Sequence, residues 1–256
     1  MIKLRWLALA GAVVLMVACR PAVHDVELET LARAVYEEVR TGDQAALETK
    51  LSPALRTPQA RADLAQFRGL IPQGPARSAR VVGLQTITMP DHARHATVSV
   101  EYDYGDRVAL AQTGLYKPNG GKAWQVGGFH VNVAFAKALA ANDFTLMGKR
   151  PAQYGFLLYA IASPLLMLAA LIRVVATPGL RFKWLWGVLA FVGVSMFRMN
   201  WTTGALSAQW LAVEFIGSGV VPAESRFAPW LITATLPVGA LLILAGLWAR
   251  PRKPAP

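Results

Sequence analysis

Apolar residues fall along this chain in three rhythms. Residues 6–18 form an unbroken apolar stretch behind Lys3 and Arg5. Leu28, Leu31, Val35 and Val39 then recur at helical spacing, with Gly42 as a stop. Asp43 is placed to cap a second helix running to Leu51, with Leu47 and Leu51 on one face. Thr57-Pro58 predicts a third start, because Thr accepts from free N–H groups and Pro lacks the one that would go unsatisfied. Leu64, Phe67 and Ile71 line that helix. After Gly74-Pro75 the period drops to two. Ala96, Val98, Val100 and Tyr102 alternate with His95, Thr97, Ser99 and Glu101, which predicts a half-buried strand. Residues 79–89, 107–117 and 123–133 predict strands around it, with turns at Tyr104-Gly105-Asp106 and Pro118-Asn119-Gly120-Gly121. Three helices and then a four-stranded antiparallel sheet make an α+β layer with the helices on one face.

Beyond residue 151 the apolar runs lengthen. Tyr154–Ile172 carries no charge and spans about 28 Å as a helix, enough to cross a bilayer core. Pro164 is expected to kink it, which spans with neighbours tolerate. Trp184–Trp201 reads as a second span with Arg198 reaching for the interface, and Trp230–Trp248 as a third, bracketed by interfacial Trp. The expected fold is therefore an extracytoplasmic α+β domain, residues 20–150, followed by an all-α membrane region, residues 151–256. That region holds three transmembrane helices at about 154–172, 184–201 and 230–248. Residues 205–221 are expected to lie in the interface or to re-enter it.

Composition agrees with a membrane assignment. The chain is 54% hydrophobic and 16% charged with mean hydropathy +0.36, too apolar to be soluble throughout and too apolar for disorder. A single cysteine excludes an internal disulfide and any Cys-based zinc pattern. The net charge of +11 does not point to nucleic acid, because residues 20–150 hold 16 basic against 13 acidic side chains and supply no basic patch. The excess lies beside the apolar runs. Arg173, Arg181 and Lys183, and Arg250, Arg252 and Lys253, are placed in the cytoplasm by the positive-inside rule if residue 20 is outside. These readings put the chain in a bacterial inner membrane, with its N-terminal domain periplasmic and its C-terminus cytoplasmic.

The first 19 residues have the plan of a secretory signal. Val17-Ala18-Cys19 resembles a bacterial lipobox, which implies that Cys19 becomes the lipidated first residue of the mature protein. The other reading is an uncleaved signal anchor with a buried Cys19. Either places residue 20 outside. The order of helices and strands, with "GDQAAL" at 42–47 and "GKAWQVGGFHV" at 121–131, resembles the nuclear-transport-factor-2-like (cystatin-like cone) superfamily over about half the chain. The resemblance implies a cone-shaped α+β domain. Members include isomerases, dehydratases, ligand-binding modules and assembly domains of envelope machines, so the fold does not select a function.

Candidate chemistry is sparse. His130, on the last strand and on the face of Trp124 and Val126, is either a general base oriented by Glu101 or Asp103 or a structural histidine. Tyr102, Tyr104 and Trp124 line a ligand pocket or simply belong to the core. His92 and His95 sit in a turn-like "PDHARH" with no third ligand, so no metal is expected. Arg198 and Glu214 are ionisable groups at the membrane face, read as an interfacial Arg and a wet Glu or as a conduction pair. No nucleotide, zinc-protease or serine-hydrolase motif occurs, and no cofactor is expected. The reading that follows is a periplasmic binding or assembly module tethered to the lipid bilayer, holding a membrane or periplasmic protein partner or a small apolar ligand. The alternative is a small isomerase- or dehydratase-type enzyme with His130 as base. A third is an oligomeric transporter that needs Arg198 and Glu214.

Overall fold

The structure, a computed structural model, describes residues 24–246. The signal-like segment with Cys19 and the basic residues 250–253 lie outside the described residues. The chain divides into two compact units between Ala136 and Lys137.

In the first unit, helix α1 (Val26–Thr41) begins at Asp25, whose carboxylate accepts from the Glu27 and Leu28 amides. It ends at Gly42 in the left-handed region, φ 79°, where a side chain would be strained. Its buried stripe is Leu28, Ala32, Val35, Tyr36 and Val39. Helix α2 (Gln44–Lys50) is capped by Asp43, and α3 (Pro58–Leu70) by Thr57. Strands β1 (Ser78–Thr88), β2 (Arg94–Asp103), β3 (Arg107–Lys117) and β4 (Gln125–Phe135) follow as an antiparallel meander in sequence order. The core lies between helices and sheet, where Leu28, Val35 and Tyr36 meet Val98, Val100, Leu115 and Val126. A parallel bridge from Leu51 to Val126, with the Ser52 amide donating to the Val126 carbonyl at 2.9 Å, ties the end of α2 to the edge strand.

One irregularity governs the last strand. Val126 pairs with Leu115 and Gly128 with Gly114, so Gly127 is an extra, bulged residue. Such a bulge shifts the side-chain alternation by one. Before it Val126 faces the core, and after it Phe129, Val131 and Val133 do.

The second unit overturns the three-span architecture. After the one-turn helix α4 (Ala136–Leu139) comes α5 (Pro151–Ala176), with Pro164 inside it. It is the one helix among the described residues long and apolar enough to cross a membrane, with mean hydropathy 2.2. The expected second span is instead a short helix α6 (Lys183–Ala190) and a strand β5 (Val192–Asn200). Val192-Gly193-Val194-Ser195 combines β-branched side chains with two weak helix formers, which favours an extended chain. The expected third span splits at Pro237 into β8 (Leu231–Leu236) and α7 (Val238–Leu244). Proline has no amide hydrogen to continue a ladder or a helix interior, and Thr233 and Thr235 before it favour a strand. Residues 205–221 are neither interfacial helix nor span but β6 (Leu206–Phe215) and β7 (Gly219–Val221). The four strands form an antiparallel sheet in the order β6-β5-β8-β7.

Helix α5 is dressed inside out. Its buried side holds Gln153, Ala160, Ser163, Met167, Ala170 and Val174, mostly small. Its open side carries Leu158, Ile161, Leu165, Leu168, Ile172 and Val175, each at least 44% exposed. Ala160 packs with Trp201, Ile232 and Ala234, while Met167, Ala170 and Val174 pack with Ala190, Ala240 and Ile243. The Tyr159 and Ser163 hydroxyls both donate to the Thr235 carbonyl at 3.0 Å, and Gln153 Nε2 donates to the Trp201 carbonyl at 2.6 Å. A Cβ on Gly239 would land on the Leu189 carbonyl oxygen, so only glycine lets α7 approach the end of α6.

Candidate functional site

The first unit holds a cleft of about 220 Å3 between its helices and β4. Val35 comes from α1, Leu47 and Leu51 from α2 and its end, Leu64 and Phe67 from α3, and Phe129 from β4. The carboxylate among its lining residues is that of exposed Asp63, which accepts from Gln59 Nε2 at 2.8 Å. The bridge between Leu51 and Val126 closes one wall and the bulge at Gly127 brings Phe129 into another. The lining is apolar, which suits a hydrocarbon or aromatic group and offers no acid–base pair.

His130 does not face this cleft. The sequence puts it on the face of Trp124 and Val126, but the bulge reverses that phase and leaves it exposed. Its Nε2 lies 3.3 Å from Asn132 Oδ1 and its ring stands edge-on to Phe67, with centroids 5.6 Å apart. Its cross-strand partner is Gln112, not an acidic residue. Asp103 instead accepts from the Gly105 amide at 2.6 Å, and Glu101 lies 3.4 Å from Arg80 Nη2.

Tyr102 and Trp124 are both buried but do not share a pocket. Tyr102 lies near the end of β2, opposite Ala109, whereas Trp124 adjoins Gln125, which is registered through Tyr116 with His95 at the start of β2. Seven residues of strand, roughly 23 Å, separate the two ends. At one end Trp124 lies under the Arg94 guanidinium, 5.2 Å from its ring centroid, with Lys117 Nζ at 5.9 Å. At the other the Tyr102 ring stacks on Tyr36 with centroids 3.7 Å apart, and the Tyr36 and Tyr104 hydroxyls bond at 2.8 Å. The Tyr102 hydroxyl is buried and has no hydrogen-bond partner among the described residues. Burial pushes all three phenols above their ordinary range, and for Tyr36 its bond to Tyr104 adds to the rise.

The remaining candidates lie apart from the cleft. His92 occupies a turn with φ 64°, and the His95 ring tilts against Tyr116 at 5.1 Å. No group of three His, Cys, Asp or Glu able to hold a metal occurs among the described residues. In the second unit exposed Arg198 and half-buried Glu214 line one open groove of about 400 Å3 between β5, β6, β7, β8 and the loop after β6. Sequence spacing marked Leu47, Leu51, Leu64 and Phe67 as helix faces, but nothing local signalled that Leu51 would bridge to Val126 or that Phe129 would turn inward. Comparison of the chain with protein-family models, with curated proteins and with solved structures finds no match in any of the three.

Proposed function

We propose that the chain is a membrane-anchored binding module of the bacterial envelope, whose first unit, outside the cytoplasm, receives an apolar group of a partner in its cleft. The observation that carries the reading is the inverted dress of α5. Only 22% of its most apolar stretch is buried, and its open side is a ladder of Leu, Ile and Val. A core helix of a soluble unit would bury that side; lipid is the solvent that matches it, with small residues kept for contact between elements. At 26 residues the helix is about 39 Å long, enough to span a hydrocarbon core of about 30 Å. Basic residues flank it, Lys149 and Arg150 before and Arg181 and Lys183 after.

Binding rather than catalysis is supported by the cleft, whose apolar lining has a single carboxylate at its rim. Helices followed by a meander support, on element order alone, a cone-like reading of the first unit. Two measurements test the proposal on the full chain. Alkaline carbonate should leave the protein in the membrane pellet; release into the supernatant refutes anchoring. Native mass spectrometry after mild extraction should show a bound molecule or a partner of fixed stoichiometry, lost in Ala60→Leu, which fills the cleft. Identical spectra for both forms refute the cleft as the binding site.

A further inference from the structure

Strand β6 is an open edge. The order β6-β5-β8-β7 leaves its outer side without a strand among the described residues. Along it Leu206, Trp210, Leu211, Val213 and Phe215 are each at least 56% exposed. No lysine or proline interrupts it, and its one charge is Glu214. The opposite edge is built differently, since β7 has three residues and stops at Pro222. Shortness and proline keep an edge from adding strands, and β6 has neither. Such an edge is out of place in either solvent. In water it exposes hydrocarbon together with unpaired amides. In lipid the side chains are at home, but the outward N–H and C=O groups have nothing to bond. A further strand answers both.

The register of β6 says which strand fits. Val194 of β5 pairs with Val213 and Met196 with Gln209, so Trp210–Ala212 make a detour opposite Ser195 and leave a regular stretch on either side. A second β6 laid antiparallel in full overlap matches stretch to stretch. Leu206, Ser207 and Ala208 of each copy then face Phe215, Glu214 and Val213 of the other. The faces match as well. Ser207 shares a face with its cross-strand partner Arg198, and Arg198 lines the same groove as Glu214, so Ser207 and Glu214 point to one side of the sheet.

Charge fits the same arrangement. Between Lys183 and Glu224 the chain carries two charged side chains, Arg198 and Glu214. Within one copy Glu214 lies opposite Gly193, five residues along β5 from Arg198, or roughly 15 Å of strand. They form no ion pair among the described residues. Across the two-fold, Glu214 of one copy falls in a row with Ser207 and Arg198 of the other. Two strand spacings, about 9.5 Å, then separate the two backbones, a gap that a glutamate and an arginine side chain close together. The symmetry repeats the pair and keeps the two Glu214 residues at opposite ends.

We propose that two copies of this chain join β6 to β6 about a two-fold axis. The product is one eight-stranded antiparallel sheet, with Glu214 of each copy paired to Arg198 of the other. Joining β6 to β7 would instead leave most of β6 bare and would be a head-to-tail contact, which need not close as a dimer. The pairing is called for in water as in lipid, so it stands apart from the anchoring proposed above.

Disulfide trapping tests the register. Two tagged forms of the full chain, Ala208→Cys and Val213→Cys, are co-expressed and oxidised in their membranes, and the wild type with its Cys19 sets the background. The mixed pair should cross-link, because those positions lie opposite each other within disulfide reach. Each form with itself should stay at background, since like positions stand several residues apart along the paired strands. A mixed pair at background overturns the proposal, and that is the result if residues 1–23 or another protein cover β6. Like pairs that cross-link as well as the mixed pair overturn it too. Native mass spectrometry over a concentration series tests the charges. Arg198→Glu or Glu214→Arg should weaken the dimer about tenfold, as two ion pairs become two repulsions, and the double exchange should restore it. A wild type that is monomeric throughout, singles as tight as wild type, or a double exchange no better than the singles overturns the pairing.

Discussion

Two tyrosines that stack on each other should respond to loss of a hydroxyl with opposite signs. Tyr36 Oη is bonded to Tyr104 Oη at 2.8 Å, whereas Tyr102 Oη is buried with no partner among the described residues. Tyr36→Phe removes a net-favourable hydrogen bond worth about 0.5–1.5 kcal/mol and leaves half-buried Tyr104 able to turn to solvent. Tyr102→Phe removes an unsatisfied oxygen whose desolvation costs about 1–3 kcal/mol, less the dispersion attraction that this one atom makes with its packed surroundings. Both changes keep the ring stack at 3.7 Å. A gain near 1 kcal/mol for one and a loss near 1 kcal/mol for the other differ by about 2 kcal/mol, or roughly thirtyfold in an equilibrium constant. Hydrogen exchange suits a chain of two units better than a single melting curve, because it reports each strand separately. The Val98 and Val100 amides should exchange several-fold more slowly than wild type in Tyr102→Phe and several-fold faster in Tyr36→Phe. Faster exchange in Tyr102→Phe would refute the assignment of its hydroxyl as unsatisfied.

Alkaline pH should unfold the same region early. Tyr36, Tyr102 and Tyr104 all have phenols raised by burial, so the folded unit keeps protons that the unfolded chain releases near pH 10. Stability is therefore intact below that value and falls as pH rises above it, visible as a cooperative gain of tyrosinate absorbance. A gradual, exposed-type titration of all six tyrosines would contradict this. Gly239→Ala should loosen α7 by about 1–3 kcal/mol, since the new methyl meets a backbone carbonyl that cannot turn away; exchange in 238–244 no faster than wild type would count against the packing. Leu165→Arg, on the open side of α5, should weaken membrane retention under carbonate far more than Ala140→Arg outside the helix, and equal retention would argue against lipid on that face. His130→Gln should restore any deletion phenotype in full, as an exposed imidazole beside Asn132 has no substrate cleft to serve; failure to restore it would reopen acid–base chemistry.

Much of the first unit's local structure was legible because its signals are short-range. Asp43 and Thr57 cap the helices they precede, and the alternation at 95–102 lies within β2. The facing of β4 was not legible, because the bulge at Gly127 is settled by pairing with Gly114 and Leu115 rather than by its own residues. The second unit misled for a different reason. Length and apolarity say that a segment avoids water, yet a strand inside an apolar unit is as hydrophobic as a span. Pro237, Gly193 and the Thr233–Thr235 pair carried the distinction, and a hydropathy window averages them away. As for the sites, Arg198 and Glu214 stood out by rarity alone, but their shared groove depends on a register that spacing does not reveal. Tyr102 and Trp124 read from sequence as either pocket lining or core, and both belong to the core cluster of the first unit. The meander sends them to opposite ends.

The bulge at Gly127 also divides two chemistries that the same strand could display. As folded, Phe129, Val131 and Val133 turn toward the core, and His130 and Asn132 turn away. Flattening the bulge with every residue in place would slide the second half of β4 by one position and exchange those sets. An ionisable imidazole and an amide would then stand where hydrocarbon stands now. Removing Gly127 outright would leave every later side chain on its present face. The unreactive character of this cleft is thus held by one backbone detour, and a substitution that irons it out would be the shortest route from a greasy receptor to a proton-handling one.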